Sequence, residues 1–205
     1  MKIRSKSARD VFLMGINPVV RFLIISDVLI VGATGMLAPL FALFIEDYIV
    51  GSNALVVSVA MGVYLLSRSL LQIPVATLID KIKGEKDDFA LMFIFSVLMA
   101  LIPLLYLIIK TPAQLYIVQA LLGIFTAITY PSYMAIFTRH VDKHKEGTEW
   151  GIYYTMTDLG TAALAVIGGY VADSFGFPQL IILVSAISLI GAIALAPIRF
   201  YLFKR

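Results

Sequence analysis

Cysteine is absent from this chain, histidine occurs twice, and charged residues make up only 14% of the total. Without cysteine there is no disulfide framework, no thiol nucleophile and no thiolate metal site. His140 and His144 stand four apart, but no third metal ligand is evident beyond Asp142 or Glu146, so the segment reads as a solvated basic loop. No Ser/His/Asp set, carboxylate pair or phosphate-cradling glycine loop occurs, so the sequence offers nothing for an enzyme and requires no cofactor or metal. The pI near 9.1 needs no nucleic acid to explain it, because the basic residues have another distribution to satisfy.

What is present is hydrocarbon. Six apolar runs fill the chain, from Val19 to Ile45, Ala54 to Ile79, Phe89 to Ile109, Ala113 to Phe137, Trp150 to Ala172 and Leu180 to Ile198. Each is close to or above the ~20 residues that a helix rising ~1.5 Å per residue needs to cross ~30 Å of hydrocarbon. The expected fold class is all-α: a polytopic membrane protein with six transmembrane helices in one domain over residues 1–205, with the lipid bilayer as its solvent. The 60% apolar composition and mean hydropathy of +0.96 agree. The basic N-terminal stretch precedes a run that is too long for a signal h-region and reaches Glu46 and Asp47 without a small-residue cleavage site, so it is expected to be retained.

The basic residues sort by connection. Lys2, Arg4, Lys6 and Arg9 lie in the N-terminal arm, and Lys81, Lys83 and Lys86 between the second and third runs. Arg139, Lys143 and Lys145 lie between the fourth and fifth, and Arg199, Lys204 and Arg205 in the tail; the intervening loops hold only Lys110. The positive-inside rule therefore predicts both termini on the cytoplasmic side of the plasma (cytoplasmic) membrane. Aromatic belts fit the same frame, with Trp150, Tyr153 and Tyr201 near inner ends and Tyr48, Tyr116 and Tyr170 near outer ends. Loops this short leave no room for a soluble domain and make successive helices antiparallel neighbours. Pro39, Pro74, Pro103 and Pro131 fall inside spans, where each removes a backbone bond and favours a kink.

The loop Ala76-Thr77-Leu78-Ile79-Asp80-Lys81-Ile82-Lys83-Gly84-Glu85-Lys86 ends a span with an acid and continues with bases. It resembles the signature G-x-L-x-D-R-x-G-R-R of the major facilitator superfamily, matching at Asp80, Lys81, Gly84 and Lys86; Ala76 and Glu85 depart from it. In the fifth span, Gly160 and Gly168-Gly169 are similar to the family's G-x(3)-G-P-x-x-G-G stretch, with Leu164 and Ala165 where its antiporters carry Gly-Pro. In the fourth, Gln119 through Gly123, followed by Tyr130-Pro131, resembles the R-x-x-Q-G stretch with Gln119 at the arginine position. The resemblance runs through the whole chain in the right order and implies the N-terminal six-helix half of a twelve-helix secondary transporter. It also implies that the second and fifth helices face the other half, and that the first and fourth line the substrate path. Two copies of a unit with both ends inside share one orientation, so a homodimer or a pairing with a second half would complete the transporter.

Charges inside the spans call for a reason, since each costs roughly 2.5 to 3.5 kcal/mol at the bilayer centre on insertion scales. Asp27 and Asp158 each lie about 12 Å into their spans and Arg68 about 18 Å up the second. Arg68 as the counter-ion of Asp27 or Asp158 across a water-filled cavity is one expectation; a static pair fixing helix register is the other. Helical spacing puts Thr34 on the face of Asp27, and Gln119, Gly123, Thr126 and Tyr130 on one stripe. Asp27, Thr34, Arg68, Gln119, Thr126, Tyr130 and Asp158 are thus the candidate pathway for a small solute, with or without a coupling proton or cation. Asp80, Lys81, Gly84, Lys86 and Arg139 are the candidate gating loop, an acid and its bases holding one conformation of the bundle. Gly160, Thr161, Ala165, Gly168 and Gly169 are candidate helix-packing positions, as are Gly62, Ser69 and Ala76 on the second span. The alternatives are a non-transporting membrane scaffold and a fragment of a longer transporter.

Overall fold

The computed structural model describes residues 15–82 and 84–203. The N-terminal basic arm, Lys83, Lys204 and Arg205 lie outside them. All regular structure among the described residues is helical: α1 (Pro18–Leu37), a 3-10 turn (Ala38–Leu40), α2 (Phe41–Tyr48), α3 (Ala54–Lys81), α4 (Lys86–Leu105), α5 (Pro112–His140), α6 (Glu146–Phe175), α7 (Phe177–Ile193) and α8 (Ile198–Leu202).

Helix ends fall where polar side chains can replace the missing ladder. Asn17 accepts from the Val19 amide at 2.9 Å and Asn53 from the Val56 amide at 3.0 Å, while Thr111 and Gln114 form a capping box at the start of α5. The prolines behave unequally. Pro39 sits in the 3-10 turn that separates α1 from α2 within the first span, whereas Pro74 and Pro131 are absorbed in unbroken helices. The third span is shorter than its apolar run: beyond Leu105 the chain tightens into i→i+3 bonds from Tyr106, Leu107 and Ile108.

Five stretches are both long and apolar enough to cross a membrane: Pro18–Tyr48, Ala54–Lys81, Lys86–Leu105, Pro112–His140 and Phe177–Leu202. The fifth predicted span, α6, has 30 residues and so about 45 Å of length. Its apolar character is diluted by Thr155, Thr157, Asp158, Thr161 and its glycines. It nevertheless runs alongside the first span. Tyr153 meets Asp27, Gly160 meets Val28, Leu164 meets Gly32 and Gly168 meets Met36, so the two helices rise side by side in one direction.

Packing follows an open order. α3 lies against α5, α5 against α4, α4 against α7, α7 against α1, and α1 against α6. The end members α3 and α6 share no extended interface, and each buries few side chains: Val56, Ala60 and Ile79 in α3, and Glu149, Thr157 and Gly168 in α6. Two apolar clusters hold the arc together. One includes Met36, Phe44, Tyr106, Leu115 and Ile181, toward the C-terminal end of α1; the other includes Leu23, Met92, Ile136, Phe137 and Ile198, toward its N-terminal end.

Glycine sets the closest crossings. A Cβ at Gly123 would lie 2.5 Å from the Tyr64 carbonyl oxygen, and one at Gly168 2.5 Å from that of Met36, so neither helix pair could approach as it does with a side chain there. Of the predicted packing positions, Gly160, Thr161 and Gly168 face α1 inside the unit. Ala165 is half-buried, whereas Gly169 and Gly62 face open space. The predicted stripe of Thr161, Ala165 and Gly169 is therefore split between two surroundings, because four-residue spacing drifts around a straight helix.

Candidate functional site

Between α1 and α5, which touch only sparsely, lies a cavity of about 470 Å³ backed by α4 and α7. Asp27 and Thr34 reach it from α1, and Gln119, Thr126 and Tyr130 from α5. These are five of the seven predicted pathway residues, on two helices that the chain separates by more than two connections. Tyr64, Tyr106, Tyr133 and Tyr153 add an aromatic lining from four further places in the sequence. The remaining wall is mostly aliphatic, with Ser26, Ser96 and Ser188 as small polar points.

Among the described residues Asp27 is the only acid on this wall. The Tyr153 hydroxyl donates to its Oδ2 at 2.6 Å, joining α6 to α1. Beside it, Tyr133 is buried, its ring 6.3 Å from that of Tyr153 and its hydroxyl without a hydrogen-bond partner. Thr129, on the same wall, likewise has an unsatisfied hydroxyl. Thr34 and Thr126 turn their hydroxyls back onto the carbonyls of Val31 and Leu122, at 2.8 and 2.7 Å, and present their methyl groups without breaking their helices. The result is a mostly apolar chamber with one carboxylate and several tyrosine hydroxyls. Such a set can take up a proton at Asp27 or hold a cationic or hydrogen-bonding group against it.

Arg68 does not complete this set, contrary to its expected role as counter-ion. It projects from α3, where its Nε donates to Gln72 at 3.2 Å and its guanidinium lies 5.1 Å from the Tyr130 ring centroid. Among the described residues it has no carboxylate partner. Asp158 is farther still, exposed on α6 at the opposite end of the arc, with no hydrogen-bond or ion-pair partner among the described residues. Sequence spacing does not give the azimuth at which a helix packs, and neither of these two charges lines the cavity.

The gating loop is also rearranged relative to expectation. Asp80 is exposed at the end of α3 and shares a groove with Gln72, Tyr130 and Arg139, but it makes no ion pair among the described residues. Arg139 pairs instead with Asp88, whose side chain is fully buried. His140 Nδ1 lies 3.0 Å from the Ile136 carbonyl oxygen and 3.7 Å from Glu85 Oε1. Lys86 stands over the Phe203 ring at 5.4 Å, Lys81 is exposed, and Gly84 has φ of +137°, a backbone that only glycine adopts freely. The charge cluster thus ties the start of α4 to the end of α5, not the end of α3 to its own loop.

Comparison with known proteins fits this architecture. The sequence model of the Major Facilitator Superfamily matches residues 23–203. The chain is similar to "Multidrug resistance protein MdtG" of Dickeya zeae, 28% identical over 190 residues that cover 91% of this chain and 45% of that protein. It is similar to "Uncharacterized MFS-type transporter YitZ" of Bacillus subtilis, 28% identical over 143 residues covering 70% of this chain and 84% of that one. It also resembles "Uncharacterized MFS-type transporter MJ1560" of Methanocaldococcus jannaschii, 29% identical over 142 residues, 69% of this chain and 35% of the relative. Against the MdtG proteins the chain spans less than half of the relative's length. The span-length apolar helices packed into one bundle define the class, an integral membrane protein. The chain belongs to the major facilitator superfamily.

Proposed function

We propose that this chain is one six-helix half of a secondary transporter of the plasma membrane, with both termini cytoplasmic, which moves a small solute by alternating access once a second half closes its open side. The observation that carries this reading is the cavity between α1 and α5 with the single carboxylate of Asp27 on its wall. A space of about 470 Å³ is the size that encloses a drug-sized molecule. The predominantly apolar, tyrosine-bearing wall suits a lipophilic solute with one polar or cationic group. The MdtG relatives, named as multidrug resistance proteins, point the same way. In this reading Asp27 carries the coupling proton or meets the solute's polar group, Tyr153 orients it, and Gln119 and Tyr130 flank the path. The Asp88–Arg139 pair and the groove containing Asp80 form the cytoplasmic region that opens and closes.

Efflux of a lipophilic fluorescent dye from vesicles reconstituted with the purified chain tests this. Asp27→Asn is expected to lose most of the energised flux while inserting normally. Wild-type flux in that variant removes Asp27 from the mechanism, and no flux from the wild-type chain alone removes the self-sufficient dimer.

A further inference from the structure

Two charged side chains sit deep in the bundle's flanks and outside the cavity, and the chain leaves both without an opposite charge among the described residues. Arg68 lies on α3, thirteen residues before its end at Lys81; Asp158 lies on α6, twelve residues after its start at Glu146. Both helix ends are cytoplasmic in the proposed topology, so each charge stands about 18 to 20 Å above the inner end of its helix. Counted from those helix ends they stand at similar heights; they carry opposite signs and belong to the two end members of the arc.

We propose that the second half is a second copy of this chain, and that Arg68 of each protomer pairs inside the membrane with the partner's Asp158. The proposal rests on the reading that a second six-helix unit covers the open side. Geometry then dictates the pairing. When two arcs face each other across a twofold axis along the membrane normal, α3 of one meets α6 of the other at both edges. Two reciprocal ion pairs result. The other ways of bringing the flanks together fail on charge, since α3 on α3 would set arginine against arginine and α6 on α6 aspartate against aspartate.

The local surroundings suit such a joint. Leu65, one turn from Arg68 on the same face, and Tyr154, one turn from Asp158, are exposed side chains that a partner helix would cover. Gly62 and Gly169 have open space where a Cβ would stand, which lets backbones come close. Arg68 is already held by Gln72 and the Tyr130 ring through part of its fork, and its remaining N–H groups are available to a carboxylate. Because Tyr130 also lines the cavity, the joint touches the site directly.

Reversed charges give the test. Arg68→Asp and Asp158→Arg chains, each with its own affinity tag, are purified alone and after co-expression, and self-association is read by co-purification in lipid nanodiscs. Each reversed chain alone would face like charge with like charge and is expected to lose at least tenfold in self-association. Co-expressed, the two restore opposite charges at both edges and are expected to form a heterodimer as readily as wild type forms a homodimer. That rescue also shows that both variants fold. If each reversed chain still self-associates like wild type, the ion pair is overturned while the two-halves reading stands. If wild type itself stays monomeric, the second copy is overturned and a different half must complete the transporter. A second measurement does not depend on reversed charges: with no native cysteine, Leu65→Cys combined with Ala162→Cys is expected to give a disulfide-linked dimer, and a monomer after oxidation contradicts the arrangement.

Discussion

Gly123→Ala probes the closest contact between two spans. The new methyl carbon would stand 2.5 Å from the Tyr64 carbonyl oxygen, 2.9 Å from Ser67 Cβ and 3.1 Å from the Arg68 amide nitrogen. An ordinary carbon–oxygen contact needs close to 1 Å more, and two of these three neighbours are backbone, which cannot rotate aside. Among the long helices α3 packs extensively on α5 alone, so it must tilt away along a seam that holds it in the bundle. Overpacking of this kind costs about 1 to 3 kcal/mol, and a gap of about 0.5 to 1 Å forfeits a quarter to a half of each dispersion contact it opens. At about 2 to 4 °C per kcal/mol for a chain of this size, the midpoint of thermal unfolding in mild detergent should fall by about 2 to 12 °C. Gly151→Ala, whose Cβ would meet open space within α6, is the control and should be no less stable than wild type, gaining up to about 1 kcal/mol from helix propensity. Equal stability of Gly123→Ala and wild type would mean that α3 and α5 do not meet at this residue, and the cavity wall at Tyr64 would have to be redrawn.

Tyr153→Phe removes the hydroxyl that donates to Asp27; it should lower stability by about 1 to 3 kcal/mol and reduce dye flux, and wild-type behaviour in both assays would break the α1–α6 link. Arg139→Gln leaves the buried Asp88 carboxylate without its cation. Arg139 is itself 38% exposed, so the expected loss in thermal unfolding is about 1 to 3 kcal/mol, below that for a fully buried pair. Adding Asp88→Asn to Arg139→Gln should recover part of that loss, and strictly additive losses would show that the two side chains do not interact.

The spans were legible because crossing hydrocarbon sets a length, and six runs meet it or nearly do. α6 is the least apolar of the long helices, and of its small and polar residues Gly160, Thr161 and Gly168 pack on α1. The cavity residues of α1 and α5 were legible through helical spacing, which ranks side chains by face. Spacing cannot say which neighbour that face meets, and the expected ion pair of Arg68 with Asp27 or Asp158 is not formed among the described residues. Tyr153 near a helix end read as an interfacial aromatic, and only the rise of α6 beside α1 puts its hydroxyl on Asp27. The Asp88–Arg139 pair joins positions 51 apart in the chain, and nothing local distinguishes Asp88 from Glu85 or Asp87. Gly32, Gly35 and Gly191 went unremarked because a glycine's use at a crossing depends on a partner helix that the sequence does not name.

The central claim is that the chamber around Asp27 opens in turn to the two sides of the membrane. A single cysteine placed by Thr126→Cys in this otherwise cysteine-free chain allows a direct measurement with membrane-impermeant maleimides of two colours, one applied from each side of sealed vesicles. The account predicts labelling from both sides, with a shift of balance from one colour to the other when solute is added or the pH gradient is reversed. Labelling from one side only, under every condition, would contradict it.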